Sequence, residues 1–289
     1  MMSRRPGEWC AGRSVPRASE WSVAARRVLP VCFVCLAVGS GVPAAQRYQD
    51  FITPTPLAEG ATLVIGFLGG RESWDNQHRG VRKLALKLRA MNVGGVHVET
   101  VENTKRSVAL ALVRSAFDRN RNGELDERER ASARLIVYGQ SFGGAAVVKF
   151  ARQLDTMGVP ILLTVQVDSV GRDDAVIPPN VARAANLFQR DGFTIRGERE
   201  IRSADPLRTT ILGNHRFTYR GKTIDLSEVS WFKRLLQRAH TKMDHDPEVW
   251  GLVEKTILDV LATEQTASRG VITRWIRSEV PCDRTRTHP

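Results

Sequence analysis

The chain has 289 residues, 42% hydrophobic and 26% charged, which is enough to bury a substantial core and too balanced for a disordered or fibrous protein. Its formal charge of +12 raises a nucleic-acid reading, but only 8 of the 43 basic residues are Lys, the Arg are scattered, and no nucleic-acid-binding signature accompanies them. No nucleic-acid partner is therefore expected.

Residues 1–27 carry six Arg and two Glu, Val28 to Val42 form an uncharged apolar run, and Val42-Pro43-Ala44-Ala45 offers small residues for cleavage. A basic segment, an apolar segment of that length and a small-residue end describe a secretory leader, assigned here to 1–45. The expectation is an exported protein, periplasmic or extracellular in a bacterial context, with no stable membrane span after cleavage. The remainder, 46–289, carries 37 basic and 29 acidic residues, a charge of +8, and keeps Cys282 alone of the four cysteines. One cysteine leaves no disulfide framework, so stability must come from packing.

Within 46–289 the elements alternate. Ala61 to Leu68 reads as a buried strand and is followed by Gly69-Gly70. A helix is predicted over Gly80 to Met91, a strand over Val96 to Val101 and a helix over Ser107 to Phe117. A strand over Leu135 to Tyr138, a helix over Ala145 to Leu154 and an apolar strand over Val159 to Val167 come next. From Gly171 to Gly221 the pattern blurs; Val181 to Arg190 reads as helical, Thr209 to Leu212 as a short strand, and 171–221 as a cap region in which Phe188 would meet an acyl chain. Glu248 to Leu261 closes the chain as an amphipathic helix, with Asp246 as its cap and Pro247 at its first position. Strands without polar alternation, separated by helices, predict one α/β domain with a mostly parallel sheet covered by helices on both faces.

Gly139-Gln140-Ser141-Phe142-Gly143 lies between that short strand and the helix after it. G-x-S-x-G gains meaning in this setting, because a tight strand-to-helix turn lifts the serine above the sheet and needs small residues two positions either side. With these residues the chain resembles the α/β-hydrolase superfamily, its thioesterase- and lipase-like members in particular, over roughly residues 60–263. The resemblance implies a serine hydrolase with the order nucleophile, acid, histidine. Ser141 would be the nucleophile. Asp168, directly after the next strand, would be the acid, with Asp173, Asp174 and Asp205 as competitors. The histidine would stand before the final helix, where His240 and His245 both qualify; His240, farther from the helix cap, is favoured. The backbone N–H groups of Phe142 and of Leu68, with Phe67 as the alternative, would form the oxyanion hole. A small-molecule acyl ester, or a thioester, is the implied substrate, and no organic cofactor is expected.

A second motif lies at 118–129. Asp118, Asn120 and Asn122 occupy the first, third and fifth places of an EF-hand-like loop, Gly123 the sixth, the Glu124 carbonyl the seventh, Asp126 the ninth and Glu129 the twelfth. This donor set predicts a structural Ca²⁺ site, weak because two ligands are Asn and because Arg119 and Arg121 lie inside the loop. The competing expectation is a non-catalytic calcium-binding or scaffold protein on the same fold. Oligomeric state is not legible from these residues.

Overall fold

The computed structural model describes residues 45–192, 195–229 and 238–278. The predicted leader therefore lies, Ala45 apart, outside the described residues, as does Cys282. The described residues all belong to one compact unit, Pro43–Pro289.

Six strands build the central sheet: β1 (Thr62–Leu68), β2 (Val96–Glu102), β3 (Leu135–Gln140), β4 (Leu163–Val167), β6 (Arg183–Gln189) and β8 (Thr210–Phe217). Their order is β2-β1-β3-β4-β6-β8, and every pair is parallel. The two-residue strands β5 (Val176–Ile177) and β7 (Arg202–Ser203) pair separately. The helices are α1 (Gly80–Ala90), α2 (Arg106–Phe117), α3 (Glu127–Ala131), α4 (Phe142–Thr156), α5 (Arg238–Asp244) and α6 (Pro247–Ser278).

Side-chain alternation splits the strands between two cores. Leu63, Ile65 and Phe67 of β1 join Leu135 and Val137 of β3 against α2 and α4. Val64 and Leu68, with Ile136 and Tyr138, turn to the other face and pack on α1, α5 and α6. Strands buried on both faces need apolar residues at every position, which is why β1 and β3 read as continuous hydrophobic runs. The predicted parallel sheet with helices on both faces is present.

Two readings of the stretch 171–221 are corrected. Val181 to Arg190 is not helical: Arg183–Gln189 is β6, set between β4 and β8 in the sheet interior. Ala184, Ala185, Leu187 and Phe188 suit a helix by local propensity, but pairing and burial on both sides decide the outcome. The stretch is not a separate cap: it supplies two of the six sheet strands, and of its described residues only Ile195, in the loop after β6, borders the cavity at Ser141. Phe188 is buried within β6 and does not border the cavity at Ser141. The strand predicted over Val159 to Val167 is regular only from Leu163; Ile161 ahead of it makes an isolated bridge to Val181. Asp246 caps α6 as expected, its Oδ1 accepting the Glu248 N–H at 3.0 Å.

Candidate active site

The carboxyl ends of β1, β3 and β4 lie side by side, and each carries a piece of the site. In a parallel α/β sheet these strand ends form the ligand-binding edge. β3 ends at Gln140, Ser141 has φ 58° and ψ −124°, and α4 begins at Phe142. The backbone holds this bend by pairing Ser141 N–H with the Val167 carbonyl at 2.9 Å. The flanking glycines are sterically required. A Cβ at Gly143 would stand 2.0 Å from the Phe67 carbonyl oxygen, and one at Gly139 would stand 2.4 Å from that of Gly143. Ser141 thus sits at the N-terminus of α4, where the first N–H groups have no intrahelical partner and the helix dipole is positive.

His240 comes from α5. Its Nε2 lies 2.9 Å from Ser141 Oγ and its Nδ1 lies 2.6 Å from Asp168 Oδ2. Asp168 follows β4 directly, is wholly buried and has φ 43°. Gln189, at the end of β6, holds this carboxylate: its side-chain amide donates to Oδ2 at 2.9 Å and its backbone N–H to Oδ1 at 3.2 Å. A Cβ at Gly197 would meet Asp168 Oδ1 at 2.1 Å, so the loop after β6 closes directly over the carboxylate. The structure therefore brings Ser141, His240 and Asp168 into one hydrogen-bonded chain.

The competing residues lie elsewhere. Asp174 is hydrogen-bonded by Ser169 Oγ, Asp173 gives its carbonyl to Arg152, and Asp205 caps a turn at Leu207. His245 places Nε2 3.8 Å from Asp244 Oδ2, with its side chain 6% exposed. Burial holds its pKa below the ordinary histidine value, against the opposing pull of Asp244.

Of the residues named for the oxyanion hole, Phe142 borders the cavity, whereas Leu68 and Phe67 do not. Phe142 opens α4. Leu68 and its alternative Phe67 are fully buried in β1, because the ladder continues to the end of that strand. The chain bordering the cavity starts one residue later, at Gly69, Gly70 and Arg71. A Cβ at Gly69 would lie 2.9 Å from Ser141 Cβ, which places this turn against the serine. Asn103, not singled out from sequence, pins the turn by donating to the carbonyls of Leu68 at 3.0 Å and Gly70 at 2.6 Å. Gln140 was also missed as a site residue; its side-chain amide is 3.3 Å from His240 Nε2. Its place beside the serine was the one available signal, whereas Asn103 and Gln189 reach the site only through the tertiary fold.

The loop at 118–129 joins α2 to α3. Asp118 accepts the N–H groups of Asn122 at 3.1 Å and Gly123 at 2.8 Å, and Asn120 and Asn122 accept those of Asn122 and Glu124. Glu129 reaches back to the N–H groups of Arg119 and Asn120, and with Asp126 forms a reciprocal cap at the start of α3. Arg121 and Gly123 turn the chain with φ 59° and 88°. The side chains offered at the predicted ligand positions carry oxygen donors only, the chemistry of a hard cation. Among the described residues, no group of three or more His, Cys, Asp or Glu side chains is gathered as metal ligands.

No family model matches the chain, and no curated protein matches it. Among solved structures it is similar to a novel cutinase-like protein from Cryptococcus sp., at 14% identity and a TM-score of 0.40, covering 72% of this chain and 98% of that one. It is also similar to RedJ, described with a PEG molecule bound in the active site, at 12% identity and a TM-score of 0.33, covering 65% of this chain and 93% of that one. Likenesses this distant carry no argument about activity, so the functional reading rests on the geometry.

Proposed function

We propose that the protein is a serine hydrolase of ester bonds, acting through Ser141, His240 and Asp168. One observation supports this above all: the unbroken chain Ser141 Oγ, His240 Nε2, His240 Nδ1, Asp168 Oδ2, with links of 2.9 and 2.6 Å, at a strained strand-to-helix turn. In this reading His240 Nε2 takes the Ser141 proton as Oγ bonds to the ester carbonyl carbon. Asp168 keeps the other imidazole nitrogen protonated and the ring oriented. The carbonyl electron pair moves onto oxygen, where the Phe142 N–H and an N–H of the Gly69–Arg71 turn stabilise it. Collapse expels the alcohol, which leaves with the proton held by His240. Water, deprotonated by His240, then cleaves the acyl-enzyme and releases the acid.

Two further parts of the reading stand beside this. Export rests on the leader pattern at 1–45. Calcium would be held by Asp118, Asn120, Asn122, the Glu124 carbonyl, Asp126 and Glu129, where it would neutralise the carboxylates and tie α2 to α3. The loop lies outside the triad and takes no part in the chemical step.

The test is hydrolysis of nitrophenyl acetate by the wild type and by Ser141→Ala. The expected result is turnover in the first and only the background rate in the second, with unchanged circular dichroism. Turnover surviving in Ser141→Ala would move the reading to a non-catalytic binding protein with adventitious surface reactivity.

A further inference from the structure

The cavity beside Ser141 has a volume of about 400 Å³ and an unusual lining. Small-molecule sites are predominantly apolar with a few placed polar groups. Here Val81, Phe142 and Ile195 supply the larger apolar side chains, while Arg71, Glu72, Arg79 and Asp244 bring four charges.

Three of those charges are joined. The Arg79 guanidinium pairs with Glu72 through one Nη and with Asp244 Oδ2 at 3.1 Å through the other. Their side chains are only 17%, 19% and 5% exposed. Each carboxylate has a further anchor, Asn76 Nδ2 on Glu72 at 2.8 Å and Gly80 N–H on Asp244 at 3.3 Å. Burial alone would lower the Arg79 pKa, but the two carboxylates outweigh it and hold it above the ordinary value, so the guanidinium keeps its charge.

This wall discriminates by chemistry. A methylene chain laid along it would strip water from carboxylate and guanidinium groups and return no hydrogen bond. A hydroxyl group can donate to a carboxylate lone pair and accept from a guanidinium N–H, so it replaces the displaced water. We propose that the Glu72–Arg79–Asp244 wall makes this cavity a site for short-chain acyl esters of hydroxyl-rich alcohols, such as acetylated polyols or sugars, and excludes long aliphatic esters. The proposal rests on the serine-hydrolase reading and names its substrate class.

The experiment compares kcat/KM of the wild-type protein on nitrophenyl acetate, butyrate and octanoate, each relative to its alkaline hydrolysis, and on acetylated glucose against hexyl acetate. An apolar acyl site gains from each added methylene, by about tenfold in favourable cases. The wall predicts the reverse, with acetate above octanoate by about tenfold or more and the sugar ester above hexyl acetate. Octanoate equal to or above acetate, or hexyl acetate equal to or above the sugar ester, would overturn the proposal while leaving the hydrolase reading intact. Failure of that reading looks different: no ester is turned over and a fluorophosphonate probe leaves Ser141 unlabelled. Arg79→Leu should narrow the acetate-to-octanoate ratio, and an unchanged ratio in the folded variant would remove the wall from specificity. Should that variant not fold, Glu72→Gln carries the same readout with less disturbance of the pairing.

Discussion

Ser141 and Asp168 both hold positive φ, 58° and 43°, at the ends of neighbouring strands. Such conformations cost about 1–3 kcal/mol each in a non-glycine residue. Here the sheet fixes them, since Ser141 N–H pairs with Val167 and Asp168 N–H with Leu187 at 2.7 Å. The strain aims both side chains at His240. Of the two histidines left open by the sequence, His240 meets both partners, whereas His245 faces Asp244. His240→Ala should therefore lower turnover by about 10⁴-fold or more, and His245→Ala by less than about tenfold. Steady-state kinetics on one ester would check the ranking, and the reverse order would transfer the base role to His245. The placement of Ser141 and Asp168 was legible because each directly follows an apolar strand. The histidine was ambiguous because two candidates stand five positions apart in one segment, and only the packing of α5 against β6 distinguishes them.

At the level of elements, the β3–α4 turn is the joint on which the site depends. Gly143 packs directly on the backbone of β1, so it couples the serine turn to the turn at Gly69. A methyl group there, 2.0 Å from the Phe67 carbonyl, must push β1 or α4 aside. Gly143→Ala should cost about 2–3 kcal/mol in urea unfolding and reduce turnover more than any exposed substitution on α4. An unfolding midpoint equal to that of the wild type would show that the two elements are less tightly locked than their contact implies. This turn was legible from the sequence because glycine placement is steric and local. β6 was not: Ala184 and Ala185 speak for a helix locally, and the residues that make it a strand, those of β4 and β8, lie far away in sequence. The same distance hid Gln189, whose role at Asp168 exists only once β6 stands beside β4. Leu68 is the last position of β1 and the cavity begins at Gly69, a boundary set by the length of the ladder and not legible in the apolar run.

Over the whole molecule, the two cores meet across one sheet, and the loop at 118–129 is tied to this body through α2 and the chain leading into β3. Ion binding there acts on global stability, because an ion that binds the folded chain preferentially adds its free energy to folding. At about ten times its dissociation constant, Ca²⁺ should raise the melting temperature by about 3–5 °C for a chain of this size. Glu129→Gln should lower stability without calcium, since Glu129 accepts three loop N–H groups, and should also remove the calcium-dependent increment. Coincident melting curves in calcium and in chelator would mark the loop as a hydrogen-bonded turn without metal. The loop was visible in sequence because its donors follow a fixed spacing, and the ion-paired wall of the cavity was not, because Arg79 and Asp244 are 165 residues apart.

The account stands on Ser141 being an activated nucleophile. The most direct measurement is reaction of the intact protein with a fluorophosphonate, followed by mass spectrometry of the labelled peptide. One adduct per chain, on Ser141, absent in Ser141→Ala and strongly slowed in His240→Ala, is the predicted result. No adduct, or an adduct on another residue at a rate indifferent to His240, would contradict it.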